Sequence, residues 1–96
     1  MSAPRSVTVR ENAEKSRYEA VDDSGSVAGF VTYRRRGDRV VFQHTEVDDA
    51  YEGQGIGSTL ARAVLDAARR EERRVVPQCP FIKSYIDRHA EYADLV

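Results

Sequence analysis

Three glycines stand close together in the segment YEGQGIGSTL, which covers residues 51–60. Gly53, Gly55 and Gly57 are separated by single residues, and an apolar pattern with helical spacing follows them directly. A helix N-terminus presents unpaired N–H groups and a partial positive charge, and glycines let an anion approach the backbone without meeting Cβ atoms. The pattern therefore indicates an anion site, most simply for a pyrophosphate, with a plain tight turn as the alternative.

Two common phosphate-binding motifs are excluded by what this segment lacks. No lysine followed by serine or threonine comes after the last glycine, so the segment is not a Walker A loop. The spacing of the three glycines also differs from the G-x-G-x-x-G fingerprint of dinucleotide-binding folds. Neither of these two classes of nucleotide site is therefore expected.

Three other side chains have types suited to acyl or proton transfer. Cys79 directly precedes Pro80, and because proline is favoured at the first position of a helix, Cys79 is the expected N-cap. A helix N-terminus raises a thiol's reactivity, so Cys79 is a candidate nucleophile or acid; the alternative is a small buried residue that fills space. His44 and Glu46 share one face of a predicted strand with Phe42, and His44 is the better candidate base. The alternative for His44 is a structural hydrogen bond across the sheet, and a β-bulge late in the strand would change its face.

The elements that hold these residues are predicted from the hydrophobic periodicity. Alternating and β-branched residues predict four strands joined by short polar breaks, at residues 6–11, 16–23, 26–36 and 38–47. Apolar residues then recur with helical spacing from Ile56, and a short strand at 73–78 and a second helix from Pro80 follow. The order β-β-β-β-α-β-α places the last strand parallel to the fourth, through a right-handed crossover. The predicted fold class is α+β, a mainly antiparallel sheet with two helices packed on it.

Composition limits the kind of protein that this chain forms. Its 96 residues suffice for one domain with one modest core, predicted to span 1–96. Fifteen basic and sixteen acidic residues give a net charge of −1, which argues against a nucleic-acid-binding protein. No apolar run approaches the ~20 residues that span a bilayer, and the N-terminal segment lacks the apolar core of a secretory signal. The single cysteine predicts a cytoplasmic protein, and one cysteine with two histidines gives no spacing suited to a metal site.

The glycine segment and its surroundings resemble motif A of the GCN5-related N-acetyltransferases (GNATs), whose pattern is (Arg/Gln)-x-x-Gly-x-(Gly/Ala). The pattern falls on residues 52–57, and Val47 and the following helix stand where that family has its fourth strand and third helix. The HTEV before the motif and the tail VVPQCPFIKSYIDRHAEYADLV resemble a subfamily of very small, stand-alone acetyltransferase-like proteins. The resemblance covers nearly the whole chain.

The resemblance implies that acetyl-coenzyme A (acetyl-CoA) binds at the glycine segment. Backbone amides there would hold the pyrophosphate, and the strand backbone near Val47 would meet the pantetheine arm. The segment residues concerned are Gln54, Gly55, Ile56, Gly57 and Ser58. The first motif position holds Glu52 instead of Arg or Gln, so its side chain is expected to face solvent. The resemblance also places Cys79 beside the thioester and makes Tyr85 a candidate acid for the leaving thiolate, with a packed apolar-face tyrosine as the alternative.

Full-size members of that family place one or two helices between their first two strands, whereas only a few residues join those strands here. A GNAT-like fold truncated at this point, with an open acceptor side, is therefore expected. The predicted function is an acetyl-CoA-dependent N-acetyltransferase in which an unidentified amine attacks the thioester directly. The alternative is a CoA- or acyl-CoA-binding module with no turnover of its own. A monomer or weak homodimer is expected, and the arginine-rich, lysine-poor composition indicates a GC-rich bacterial source.

Overall fold

The computed structural model describes residues 7–96, so the predicted start of the first strand at Ser6 lies outside the described residues. The strands and helices follow the predicted order. The strands are β1 (Val7–Asn12), β2 (Arg17–Asp22), β3 (Val27–Arg36), β4 (Arg39–Val47) and β5 (Arg74–Pro77). The helices are α1 (Ile56–Arg70) and α2 (Pro80–Arg88), and shorter 3₁₀ segments occur at Ala13–Lys15, Asp49–Tyr51 and Ala90–Leu95.

One five-stranded sheet organises the molecule, and its strands lie in chain order from β1 to β5. The first four strands pair antiparallel, and β5 runs parallel to β4 after the crossover through α1. A two-residue turn joins β3 to β4, and its first residue, Gly37, has φ +60°. A type II′ hairpin turn requires glycine at this position. The predicted α+β fold with a mainly antiparallel sheet is confirmed.

The connection between β1 and β2 is as short as predicted. It consists of the 3₁₀ segment Ala13–Lys15, which the side chain of Asn12 caps by accepting from the Lys15 N–H at 3.3 Å. Ser16 then reverses the chain in the left-handed conformation, with φ 51°. The truncation between the first two strands is therefore confirmed.

Both helices lie on the same face of the sheet, which we call the helix face. α2 and the 3₁₀ segment after it run alongside α1 for most of its length. The contacts, in order along α1, are Gly57 with Phe81, Asp66 with Tyr92 and Arg69 with Asp94. The strand residues that complete the core beneath the helices are Tyr18, Ala20, Ala28, Val31, Tyr33, Val40, Phe42 and Val75.

The opposite face of the sheet, which we call the open face, carries no helix of residues 7–96. Side chains alternate between faces along a strand. Because Val31 and Tyr33 of β3 belong to the core, the even-numbered side chains between Phe30 and Arg36 point to the open face. This face is where side chains of the sheet remain accessible.

A β-bulge in β4 decides which of its side chains reach each face. Thr32 of β3 pairs with His44, whereas the next residue, Tyr33, pairs with Phe42. Gln43 is therefore an extra residue on β4, which reverses the alternation of faces after it. The bulge stands at the middle of the strand, not near its end.

The grouping of His44 and Glu46 with Phe42 on one face of the strand is therefore wrong. After the bulge, Thr45 contacts Cys79 of the helix face, and Val47 packs against the core. His44 and Glu46 point to the open face instead.

Residues 7–96 share one hydrophobic cluster, to which all strands and both helices contribute. That residues 1–96 form a single domain stays a prediction, because residues 1–6 are not described. No helix within the described range is long and apolar enough to cross a bilayer.

Candidate active site

β4 and β5 pair only along the first half of β4 and then separate. Their parallel pairing ends at Phe42 and Pro77. The Cys79 N–H donates to the Phe42 carbonyl at 2.9 Å. Beyond this point β4 continues to Val47, whereas the segment that follows β5 turns into α2. A wedge therefore opens between the second half of β4 and the start of α2.

Two of the three glycines are required by the backbone conformation of the segment before α1. Gly55 is the N-cap of α1 with φ +73°, and Gly53 has φ +81°. These values lie in the left-handed region, which glycine enters without steric penalty. A Cβ atom at either position would meet nothing within 4 Å, so the space around both glycines is open.

The amides at the start of α1 form a cluster without hydrogen-bond partners. The Thr59 N–H donates to the Gly55 carbonyl at 3.0 Å, which is the first bond of the helix. The N–H groups of Gly55, Ile56, Gly57 and Ser58 have no acceptor within residues 7–96, and no side chain caps the helix. We call these four groups the amide cluster. Together with the helix dipole, they favour an anion.

The backbone N–H of Gln54 takes part in a hydrogen bond within the loop, and the contribution of Gln54 to the pyrophosphate site stays a prediction. The Gln54 N–H donates to the Tyr51 carbonyl at 3.2 Å, so this amide is already used within the loop. Glu52 is exposed, as expected from its departure from the motif. Val47, half-buried at the end of β4, lies beside the wedge.

Gly57 serves a different purpose from the two glycines before it. A Cβ atom at this position would stand 2.8 Å from Cζ of Phe81, closer than real Cβ atoms approach other atoms. Gly57 therefore allows the first turn of α2 to pack against the first turn of α1. This contact packs the start of α2, which Cys79 caps, against the start of α1, which carries the amide cluster.

Cys79 is the N-cap of α2 with Pro80 at the first helical position, which confirms the predicted placement. Its side chain is 3% exposed, and its Sγ lies 3.2 Å from Oγ1 of Thr45. The Lys83 N–H donates to the Cys79 carbonyl at 3.0 Å, so both backbone groups of Cys79 are fixed. The thiol is thus held at the apex of the wedge, and its catalytic role stays a prediction.

His44 lies on the other side of β4 from Cys79. The side chains of His44 and Glu46 are 63% and 62% exposed, and His44 Nε2 lies 3.8 Å from Glu46 Oε2. The Phe30 ring stands edge-on to the imidazole, with centroids 6.4 Å apart. No hydrogen bond joins the His44 side chain to another strand within the described part of the chain. The imidazole is therefore accessible from the open face, and its role as a base stays a prediction.

Tyr85 is packed between the two helices, and its role as an acid stays a prediction. Its buried ring stacks on His89, with centroids 3.9 Å apart and an interplanar angle of 13°. His89 Nδ1 lies 2.8 Å from the Tyr85 carbonyl oxygen, and a hydrogen bond with the Tyr85 side chain raises the pKa of Arg62 on α1. These contacts support the alternative of a packed tyrosine between the helices.

The sequence analysis missed an anchor of the glycine loop, formed by Tyr51 and Asp22. The buried Tyr51 hydroxyl donates to the Asp22 carboxylate, which also accepts from the N–H groups of Ser24 at 2.9 Å and Ser26 at 3.0 Å. Hydrogen bonds from Ser24, Tyr51 and Ser26 hold the pKa of Asp22 well below its usual range. The DSGS segment could have indicated the turn, but no local signal pointed to Tyr51.

A cavity of about 480 Å³ opens at the end of the β3–β4 pair. Its lining residues are Arg17, Val27, Ala28, Gly29, Phe30, Glu46, Val47, Asp48 and Asp49. The three carboxylates make this end of the open face acidic. Within residues 7–96, no group of three or more His, Cys, Asp or Glu side chains is arranged to hold a metal ion.

Known proteins share both the sequence pattern and the fold. A family model for the GCN5-related N-acetyl-transferases matches residues 17–95. Protein NATD1 of Homo sapiens and protein NATD1 of Gallus gallus are each 44% identical to this chain over 55 residues. These residues cover 56% of this chain, 49% of the Homo sapiens protein and 50% of the Gallus gallus protein. The chain thus aligns with about half the length of these two relatives. Protein NATD1 of Xenopus tropicalis is 28% identical over 87 residues, 90% of this chain and 80% of that protein.

Two solved structures resemble the whole fold or part of it. A GCN5-like protein of Staphylococcus aureus, solved by NMR, superimposes with a TM-score of 0.71 and 26% identity over 92% of this chain and 85% of that chain. A crystal structure named for phosphinothricin N-acetyltransferase gives a TM-score of 0.54 and 23% identity over 70% of this chain and 46% of that chain, which shows the fold alone. The curated relatives are vertebrate proteins, so the predicted bacterial source gains no support from them. The chain belongs to the GCN5-related N-acetyltransferase family.

Proposed function

We propose that the chain transfers an acetyl group from acetyl-CoA to an amine that approaches from the open face. The observation that carries the proposal is the amide cluster beside the wedge, with the Cys79 thiol at the wedge apex. Four unpaired N–H groups at a helix start suit a pyrophosphate, because each gains an acceptor and the helix dipole favours its negative charge. The donor set of the chain therefore fits this cosubstrate.

The second half of β4 offers a further set of backbone groups for the cosubstrate. Beyond Phe42, the edge of β4 that faces α2 has no strand partner within residues 7–96. Its peptide groups around Thr45 and Val47 are available to hydrogen-bond the amides of a pantetheine arm, as one strand pairs with another. The Gly57–Phe81 contact holds the start of α2, the helical side of the wedge, against the start of α1.

Bound acetyl-CoA supplies a thioester whose carbon–sulfur bond breaks as the amine nitrogen bonds to the carbonyl carbon, and the sulfur leaves with the electron pair. The chain handles the two protons involved. His44, accessible on the open face, accepts the proton that the amine loses. Cys79, on the helix side, donates a proton to the departing sulfur and regains one from solvent, while Thr45 holds the thiol in place. Glu46 Oε2 lies 3.8 Å from His44 Nε2, beside this proposed base.

A second candidate function is a CoA-binding module without turnover. It is favoured by the exposure of His44 and Glu46, since no helix or lid of the described residues encloses the acceptor side. Such a module would need the amide cluster and the wedge but not the proton-transfer groups. The two functions therefore differ in whether they require the His44 side chain.

Release of free CoA from acetyl-CoA, measured against a panel of amines and across pH, tests the proposal. His44→Gln is expected to lower kcat by about 100-fold, the lower range for loss of a general base, with an unchanged Kd for acetyl-CoA. His89→Gln, which replaces the histidine stacked on Tyr85, is the matched control and should retain turnover in its folded fraction. Binding of acetyl-CoA without turnover for any amine would instead support the module. An acetyl group found on Cys79 by mass spectrometry before amine is added would assign the thiol as a nucleophile.

A further inference from the structure

The open face carries a row of arginines in register across three strands. Arg36 of β3 pairs directly with Arg39 of β4, and Arg39 pairs with Arg74 of β5. Arg34 stands on the same face, two positions before Arg36. We call these four residues the arginine row.

Three of the four residues of the arginine row have no acidic partner within residues 7–96. Arg34, Arg36 and Arg39 are exposed and make no ion pair or hydrogen bond through their side chains. Arg74 donates to the Val96 carbonyl at 3.1 Å, and its charge adds to the hydrogen bond from Arg69 in lowering the pKa of Asp94. Like charges directly opposite each other on neighbouring strands destabilise a sheet. The directly opposed pair of Arg36 and Arg39 is therefore unfavourable unless an anion outside the described chain compensates it.

Arg35 lies between Arg34 and Arg36 in the sequence, but it points to the helix face and has acidic partners there. It pairs with Glu11 at 2.9 Å and with Glu71 at 3.3 Å, and the hydrogen bond with Glu11 raises its pKa. The fold thus supplies carboxylates to Arg35, which points toward the helices, and none to Arg34 and Arg36, which point away from them.

The other end of the open face has the opposite charge. Glu46, Asp48 and Asp49 line the cavity there, together with the Phe30 ring. Arg17 also lines it, but its guanidinium is paired with the buried Glu19 at 2.8 Å. Burial alone would raise the pKa of Glu19, and the hydrogen bonds from Arg17 and Asn12 outweigh burial and lower it. The charge of Arg17 is therefore compensated within the sheet.

We propose that the open face docks an acidic peptide segment of the acceptor, with acidic side chains over the arginine row and the amine at the His44 end. Arg39 and His44 are five positions apart on β4, which corresponds to about 15 Å with one bulge in the strand. The acidic residues of an extended acceptor then stand about five residues from its lysine. The role of the lysine rests on the proposed function, whereas the docking of the acidic segment does not.

Two synthetic fluorescent peptides with one lysine each test the docking by anisotropy at low ionic strength. One peptide carries three glutamates that begin about five residues from the lysine, and the other carries serines at the same positions. The glutamate peptide is expected to bind about tenfold more tightly, because several exposed ion pairs form together, and the difference should shrink as salt is added. Arg39→Glu should abolish the preference and should be at least as stable to unfolding as the native chain, since it relieves repulsion within the row. Arg70→Glu, an exposed arginine of α1 that also lacks an acidic partner within the described residues, should keep the preference.

Equal affinity of the native chain for the two peptides would overturn the inference. An equal loss of the preference for the glutamate peptide in Arg39→Glu and Arg70→Glu would also overturn it. A single-stranded oligonucleotide that binds more tightly than the glutamate peptide, and depends on Arg39, would overturn it in favour of a nucleic-acid surface. Titration of the same samples with acetyl-CoA separates the two proposals, because Arg39→Glu should leave that affinity unchanged. Glutamate-peptide binding without any acetyl-CoA binding would keep the docking surface and refute the proposed function.

Discussion

The glycines of the YEGQGIGSTL segment answer different physical needs at the scale of single residues. Gly53 and Gly55 adopt positive φ angles, whereas Gly57 makes room for the ring of Phe81. A larger residue at Gly55 would therefore strain the backbone before it affected a ligand. Ser58, exposed and with an ordinary helical backbone, is the better position for testing the amide cluster.

Gly57→Ala is expected to lower the free energy of unfolding by about 1 kcal/mol, at the low end for overpacking, because the new Cβ meets the Phe81 ring. Helix propensity alone predicts the opposite sign, since alanine stabilises a helix interior by ~1 kcal/mol relative to glycine. Denaturant unfolding distinguishes the two expectations.

The same substitution in a Phe81→Ala background gives the matched control. With the ring removed, Gly57→Ala should be neutral or stabilising, which gives a coupling energy of about 1–2 kcal/mol between the two positions. An identical effect in both backgrounds would contradict a role of Gly57 in helix packing.

At the scale of elements, the bulge in β4 and the anchor of the glycine loop set the geometry of the site. Gln43 turns His44 to the open face and leaves Thr45 facing Cys79. The hydrogen bond from Tyr51 to Asp22 joins the segment before the loop to the β2–β3 turn. The wedge is therefore built by one irregular strand and one tertiary hydrogen bond, in addition to regular secondary structure.

The low pKa of Asp22 predicts a specific pH dependence of stability. Its folded pKa lies below the unfolded value of about 3.9, so its stabilising effect is complete above about pH 4 and is lost as the pH falls toward the folded value. Asp22→Asn should lower the unfolding midpoint at neutral pH, and its difference from the native chain should shrink below about pH 4. Thermal unfolding across pH measures this difference.

Asp23→Asn is the control for that experiment, because Asp23 is the exposed neighbour of Asp22. The unfolding midpoint of Asp23→Asn should match that of the native chain across the acid range. A constant gap between Asp22→Asn and the native chain at all pH values would contradict the ionised anchor.

At the scale of the whole molecule, one core extends from the sheet to the C-terminal 3₁₀ segment. Leu95 is buried in that core, whereas the next residue, Val96, is 55% exposed. Leu95→Ala is expected to lower the global free energy of unfolding by roughly 2–4 kcal/mol, as for other buried leucines. Val96→Ala should change it by less than about 0.5 kcal/mol.

Chemical denaturation followed by near- and far-ultraviolet circular dichroism checks this pair of variants. One coincident transition that shifts only in Leu95→Ala is the expected result. A separate early transition of the C-terminal segment, with no global effect of Leu95→Ala, would show that this segment folds apart from the core.

Much of this architecture was predictable from the sequence because its signals are local. Hydrophobic periodicity predicted the order of strands and helices, and Pro80 located the start of α2 and the N-cap before it. The bulge lies at Gln43, earlier in the strand than expected, because only pairing with β3 defines its position. The Tyr51–Asp22 hydrogen bond joins residues 29 positions apart, and no periodicity reports such a contact. The open arginine row likewise became visible only once three strands were in register.

Calorimetric titration with acetyl-CoA of the native chain, Ser58→Glu and Ser84→Glu tests the central claim most directly. Both serines are exposed and helical, so the two variants add the same charge at different places. An acid in the first turn of a helix is favourable to the helix, so Ser58→Glu should fold normally while its carboxylate repels a pyrophosphate at the amide cluster. We predict equal affinity for the native chain and Ser84→Glu, and at least about tenfold weaker binding, ~1.4 kcal/mol, for Ser58→Glu. No binding to the native chain, or equal binding to all three, would contradict the assignment of the amide cluster as the acetyl-CoA site.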